Sequence, residues 1–151
     1  MIKIICVGKI KEKFFKEAIN EYSKRLTKYT KLEITEVDDI NSDDINHILS
    51  KERDLILKHI NQKDYVITLE IEGKEFTSPD LAKQLDNILT INSNITFIIG
   101  GSYGLHKDIK DKSNLKLSFS KMTFPHQLFR VILLEQIYRS FKILNNESYH
   151  K

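Results

Sequence analysis

One cysteine in 151 residues, Cys6, rules out a disulfide framework and any CxxC metal pair. It lies inside an apolar run, so it is expected to be a buried small hydrophobe. The five histidines, His47, His59, His106, His126 and His150, show no metal-ligand spacing, and no metal is expected. No apolar run approaches the ~18 residues of a membrane span, and the N-terminus has neither an h-region nor a small-residue cleavage site. A cytoplasmic, reducing compartment without membrane attachment is the expectation. Repeats, low-complexity tracts and domain linkers are also missing. Neither GxGxxG nor GxxxxGK(S/T) occurs, which removes support for a dinucleotide fold or a P-loop. No Ser-His-Asp order or activated cysteine can be argued, so hydrolase chemistry has no footing.

What remains is ordinary for one soluble domain over residues 1–151, with 40% hydrophobic and 30% charged residues. A domain of this size buries roughly two thirds of its unfolded surface and needs no covalent staple. The net charge of +3 is too small by itself to announce nucleic acid. Its distribution is uneven. Residues 1–37 carry nine Lys/Arg against five acids, 105–151 nine against four, and 38–104 six against twelve. The two ends are therefore +4 and +5 and the centre −6. Brought together by the fold, the ends would make a basic surface. Otherwise their lysines are solvated helix faces.

Along the chain, short apolar strands alternate with helical periodicities. Ile2–Val7 reads as a buried strand ended by Gly8, and Phe14 to Tyr29 as an amphipathic helix. Leu32–Val37 alternates like a strand with one wet face. Asp43 or Asp44 could cap a helix reaching about Ile60. Tyr65–Ile71 is a strand stopped by Gly73; Ser78-Pro79-Asp80 starts a helix to about Ile91. Asn94–Ile99 is a strand running into Gly100–Gly104, Leu105–Lys112 a short helix, and Leu115–Phe119 the last strand. The expected fold class is α/β: a mostly parallel open sheet with helices on both faces. The polar tail, Asn145–Lys151, would ordinarily fray.

The stretch from Leu117 to Arg139 organises the rest. A strand end breaks into Ser120-Lys121-Met122-Thr123, turns through Phe124-Pro125, and enters a helix that is apolar nearly all round. Pro125 suits a first helical turn. Such a helix must be covered nearly all round, by its own sheet and by a partner subunit. His126 and Arg130, at i and i+4, share one side of it and would form a cationic face beside the loop, suited to phosphate or a base edge. Alternatively, Arg130 pairs with a carboxylate inside a dimer interface. Tyr149-His150 could stack on a base and move a proton, or belong to a disordered tail.

Ligands of open α/β sheets bind beyond the carboxyl ends of strands. Three such ends are suggestive here: Thr68-Leu69-Glu70 into Gly73, Gly100–Gly104, and Phe119–Phe124.

The segments FIIGGSYGLHKD, LSFSKMTFPHQLFRVILLEQIYRSFKI and ESYHK, with the opening ICVGKIKEKFFKEAINEYSKRL and the central VITLEIEGKEFTSPDLA, resemble one family across essentially the whole chain. It is the small SPOUT-class methyltransferases of bacterial ribosomes, the large-subunit rRNA pseudouridine-N3 methyltransferases. The resemblance implies a C-terminal trefoil knot and S-adenosylmethionine bound at Leu69, Gly100 and the loop Phe119, Ser120, Lys121, Met122, Thr123 and Phe124. It further implies a homodimer that methylates a pseudouridine of 23S rRNA on assembled ribosomes. On that basis His126 and His150 are candidates for the base. Arg130 would hold phosphate or steady charge on the ring, and Tyr149 would stack on a flipped base. A non-catalytic ribosome-binding factor of the same fold is the alternative.

Overall fold

All 151 residues are described by the computed structural model. The apolar runs form strands β1 (Ile2–Val7), β2 (Leu32–Val37), β3 (Tyr65–Glu75), β4 (Ile95–Ile99) and β5 (Leu115–Ser118). Between and after them lie α1 (Lys13–Leu26), α2 (Ile45–Leu57), α3 (Ser78–Ile91), α4 (Lys107–Lys112) and α5 (His126–Leu144). The sheet order is β2-β1-β4-β3-β5 and every pairing is parallel. Adjacent parallel strands need crossover connections, and the helices supply them on both faces.

Alternation along the central strands divides the core. Ile2, Ile4 and Cys6 face one side with Ile67 and Phe97, under Leu26 of α1, Leu81, Leu85 and Ile88 of α3, and Leu133, Leu134 and Ile137 of α5. Ile5 and Val7 face the other side with Val37, Val66 and Ile98, under Ile56 of α2, Ile109 of α4 and Leu105 just before α4. Cys6 is fully buried, and that burial pushes its thiol up to about 12. It is an inert apolar filler, as its setting in the chain suggested.

Helix boundaries follow the local chemistry. Asp44 caps α2, its carboxylate accepting from the N–H groups of Asn46 and His47 at 3.0 and 3.4 Å. Thr77, rather than Ser78, caps α3, with Pro79 in its first turn. Pro125 precedes α5 in an extended conformation instead of lying within its first turn. α1 ends at Leu26 and α2 at Leu57, each about a turn short of the expected end.

The largest departure is at β3. Gly73 does not stop the strand. Leu69 pairs with Leu117, and then Lys74 pairs with the same Leu117, so Glu70–Gly73 is thrown out of the ladder as an excursion. A Cβ on Gly73 would lie 2.7 Å from the Lys116 carbonyl, so only glycine lets the strand close back on β5.

α5 packs against α1 and α3. Its Leu133, Leu134, Ile137 and Tyr138 are buried. Val131, Ile132, Ile143 and Leu144 are only half-buried, and Leu128 is exposed. The tail does not fray. Glu147 accepts from Lys28 at 3.1 Å, Tyr29 at 2.8 Å and Lys142 at 2.8 Å, and Tyr149 packs edge-on against Tyr138.

Candidate active site

Three strand ends meet in one cleft of about 340 Å³. The first is the end of β3, from Leu69 through the Glu70–Gly73 excursion. The second is the Gly100–Gly104 turn after β4. A Cβ on Gly100 would sit 2.6 Å from the Gly104 carbonyl oxygen, and Gly104 has φ +78°, so this turn closes only with glycine at both places. The third is the turn from Phe119 to Phe124 after β5. Here the Ser118 hydroxyl donates to the Ser120 carbonyl at 3.1 Å, and the Ser120 hydroxyl accepts the Met122 N–H at 3.0 Å. These local bonds curl the segment, and contacts with Phe129 of α5 pin it: Phe119 packs tilted against that ring at 5.2 Å and Phe124 stacks on it at 6.0 Å between ring centres.

Seven of the eight residues expected to hold a cofactor line this cleft: Leu69, Gly100, Phe119, Ser120, Met122, Thr123 and Phe124. Lys121 is exposed in the same turn and does not line it. The walls are apolar at Leu117, Phe119, Phe124 and Phe129, and polar where Glu70, Glu72, Ser102, Lys110 and His126 enter. Glu70 is held from two sides: its carboxylate accepts the Thr68 hydroxyl at 2.6 Å and lies 3.8 Å from the Lys110 ammonium.

His126 also lines the cleft, half-buried at the start of α5. Burial, and secondarily the positive Arg130, hold its pKa below the ordinary imidazole value. It is therefore neutral at pH 7 and can take a proton.

The cationic face expected from His126 and Arg130 does not form. Arg130 is 3% exposed and turns away from the cleft. Its guanidinium donates to Glu36 at 2.6 Å and to the carbonyls of Val7 and Gly8 at 3.1 and 2.5 Å. The partner carboxylate comes from its own β2 and not from another subunit. Glu36 also accepts the Ile10 N–H, and Gln127 accepts the N–H groups of Lys11 and Glu12. The first turn of α5 thereby clamps the segment between β1 and α1.

Tyr149 and His150 form a separate cluster with Glu135 and Arg139. The Glu135 carboxylate accepts from Arg139 at 2.5 Å and from the Tyr149 hydroxyl at 3.1 Å. Arg139 donates to His150 Nδ1 at 3.1 Å and lies over the Tyr149 ring. Burial, and then Glu135, push the Tyr149 phenol up to about 12. Thirteen residues of helix separate Arg139 from His126, roughly 20 Å along the axis. Within one chain this cluster stands well away from the cleft. No group of three or more His, Cys, Asp or Glu converges as a metal site would require.

Sequence reasoning placed Glu70 at a suggestive strand end but missed its pairing with Lys110 at the cleft, Glu36 as the partner of Arg130, and Glu135 and Arg139 as the partners of Tyr149 and His150. Glu70 and Lys110 lie on a bulge and on a six-residue helix, neither of which carries a periodic signal. The i, i+4 spacing of Glu135 and Arg139 was visible, but nothing local told that the tail folds back onto it.

A family model described as "Predicted SPOUT methyltransferase" matches residues 1–150. A protein of Methanococcus maripaludis is 59% identical over 157 aligned positions, covering 99% of both chains. The ribosomal RNA large subunit methyltransferase H of Clostridium botulinum is 57% identical over 157 positions, again with 99% of each covered. Among solved structures, a probable methylase family protein from Haemophilus influenzae superposes with a TM-score of 0.58 at 13% identity, over 99% of this chain and 70% of that one. A tRNA (m1G37) methyltransferase from Aquifex aeolicus gives a TM-score of 0.51 at 16% identity, over 91% and 69%. These two likenesses concern the fold alone. With three strand ends closing one cleft, an all-parallel sheet and a family match over nearly its full length, the chain belongs to the SPOUT methyltransferase family.

Proposed function

We propose that the protein transfers a methyl group from S-adenosylmethionine to N3 of a pseudouridine in 23S rRNA, on assembled ribosomes, in the cytoplasm. The observation that carries this reading is the convergence of Leu69, Gly100 and the Phe119–Phe124 turn in one cleft. The cleft suits the donor: Gly100 lets the Gly104 carbonyl close the turn tightly, the open space beside Gly104 permits close approach to its backbone, and Phe119 and Phe124 offer flat apolar walls for a purine. Leu69, Gly100, Ser120, Lys121 and Thr123 would hold the adenosine portion, and Met122 would cover it. When bound, S-adenosylmethionine supplies a methyl group already activated by its sulfonium, so the protein mainly has to orient the reactants.

His126, neutral and lining the cleft, is the proton acceptor we assign to the imide N–H of the target. Arg130 serves the target side indirectly, by fixing the Gly8–Glu12 segment through Val7, Gly8 and Glu36. Tyr149 and His150, in the tail held against Glu135 and Arg139, stand too far from their own cleft to serve it, and the half-buried apolar side of α5 supports a homodimer in which the partner's tail does. The trefoil crossing is the threading that would let α5 follow the Phe119–Phe124 turn while Gly100–Gly104 lies against it. The likeness to the ribosomal RNA large subunit methyltransferase H of Clostridium botulinum supports a large-subunit rRNA target. A net charge of only +3 supports recognition of a large preformed surface over tight binding of free RNA.

The test is calorimetric titration with S-adenosylmethionine, followed by methylation of purified ribosomes and of naked 23S rRNA, with nucleoside mass spectrometry of the product. Donor binding with a methylated pseudouridine on ribosomes supports the reading. Ribosome binding without donor binding would instead support a non-catalytic factor, and equal rates on naked rRNA would refute the ribosome requirement.

A further inference from the structure

The cleft contains more negative than positive charge. Two carboxylates, Glu70 and Glu72, line it against one ammonium, Lys110, and its single imidazole, His126, is neutral at pH 7. The carboxylates arrive by an unusual route. They belong to the excursion that leaves the β3 ladder at Leu69 and returns at Lys74, both pairing with Leu117. The return passes so near the Lys116 carbonyl that Gly73 admits no side chain. An uninterrupted β3 would keep pairing with β5, and alternate side chains would point to opposite faces of the sheet. Instead, Glu70, Ile71 and Glu72 all reach the cleft.

Glu70 is the better held of the two acids. Its side chain is 12% exposed, one oxygen accepting from Thr68 and the other lying 3.8 Å from Lys110. Thr68 is itself fully buried and lies 2.7 Å from the Ser113 hydroxyl, so the carboxylate rests on a fixed support. Lys110 is 40% exposed at its side chain and offsets only part of the charge.

Resting on the methyl-donor reading, we propose that Glu70 discriminates by charge: it favours the cationic sulfonium donor and disfavours the neutral thioether left after transfer. Donor and product share adenosine, the amino group and the carboxylate. They differ by one methyl and one positive charge at sulfur. Apolar walls and backbone bonds treat the two nearly alike, whereas a half-shielded carboxylate does not. The same group then binds the donor and helps release the product. Lys110 tempers the preference.

The experiment titrates wild-type protein, Glu70→Gln and Lys110→Ala with S-adenosylmethionine and S-adenosylhomocysteine by calorimetry. In wild type the donor binds on the order of tenfold tighter than the product. Glu70→Gln closes that gap by weakening the donor while leaving the product unchanged. Lys110→Ala widens it, a change in the opposite direction that general damage to the cleft would not produce. An unchanged ratio in both variants overturns the proposal, as does an equal loss of both ligands in Glu70→Gln. Failure of wild type to bind either ligand overturns the methyl-donor reading itself, a distinct outcome.

Discussion

Replacing Arg130 with methionine tests how the first turn of α5 is tied to the sheet. The substitution keeps much of the side-chain volume and deletes the guanidinium. Three acceptors then lose their donor: Glu36 and the carbonyls of Val7 and Gly8. Hydrogen bonds from a charged group contribute about 1.5–3 kcal/mol each, and breaking a buried ion pair from one side costs about 3–5 kcal/mol. Glu36 is 35% exposed and can recover water, which places the loss near the lower bound, about 3 kcal/mol. At about 2–4 °C per kcal/mol for a chain of this length, the melting temperature falls by about 6–12 °C. Circular dichroism melts at pH 7 would show it, with urea midpoints shifting at constant slope. A drop under about 2 °C would refute the assigned role of the guanidinium. Because Arg130 does not line the cleft, donor affinity measured below the transition stays at the wild-type value while methylation of ribosomes falls. Loss of donor binding in the folded variant would contradict that separation.

Gly100→Ala forces a methyl to within 2.6 Å of the Gly104 carbonyl oxygen, so the turn must open; donor affinity should fall by at least about tenfold in calorimetry. Unaltered affinity would show that the turn does not shape the cleft. For His126, a pKa held below the ordinary ~6.5 keeps the imidazole neutral at pH 7. Turnover should therefore be full at pH 7 and decline as pH drops past that depressed value, and His126→Gln should lower kcat and abolish this acid limb. A limb that survives the substitution belongs to another group. Glu147 is held at about 2 by Lys142, Tyr29 and Lys28. Its folded pKa lies below its unfolded one, so its contribution to docking the tail is complete above the ordinary ~4.3 and lost as pH falls toward 2. Amide NMR signals of residues 147–150 should stay dispersed at pH 5 and collapse toward random-coil positions near pH 2; collapse already at pH 5 would exclude the carboxylate as the anchor.

The central strands were legible as short apolar runs between polar segments, and full burial on both faces leaves no other use for IKIICV or ITFII, while LEITEV showed itself by alternation. Helix starts were legible where a cap is written into the chain, as at Asp44 and in the Thr77–Pro79 stretch. Gly73 misled because a glycine after alternating residues usually ends a strand. Its actual constraint is a carbonyl contributed by residue 116, more than forty positions later. Arg130 misled for a related reason: a helical wheel places it beside His126, yet the acceptors that capture it, Val7, Gly8 and Glu36, come from the far end of the sequence. The cleft-lining turns could be named because their glycines and SKMT motif are contiguous. Their support network could not, since ion pairs such as Glu70–Lys110 join segments with no shared periodicity.

The strand order also governs when during synthesis this protein can begin to be itself. At the centre of the sheet β1 lies against β4, with Ile4 opposite Phe97, 93 positions apart. Until β4 has left the exit tunnel, the first strand has only β2 for company, and one of its edges stays open to any passing strand. Stalled or truncated nascent chains ending before Ile99 would thus expose an apolar, unpaired ribbon, the species chaperones and proteases collect first. Completion of the sheet is a late and long-range event, so folding should be slow for a chain of this size.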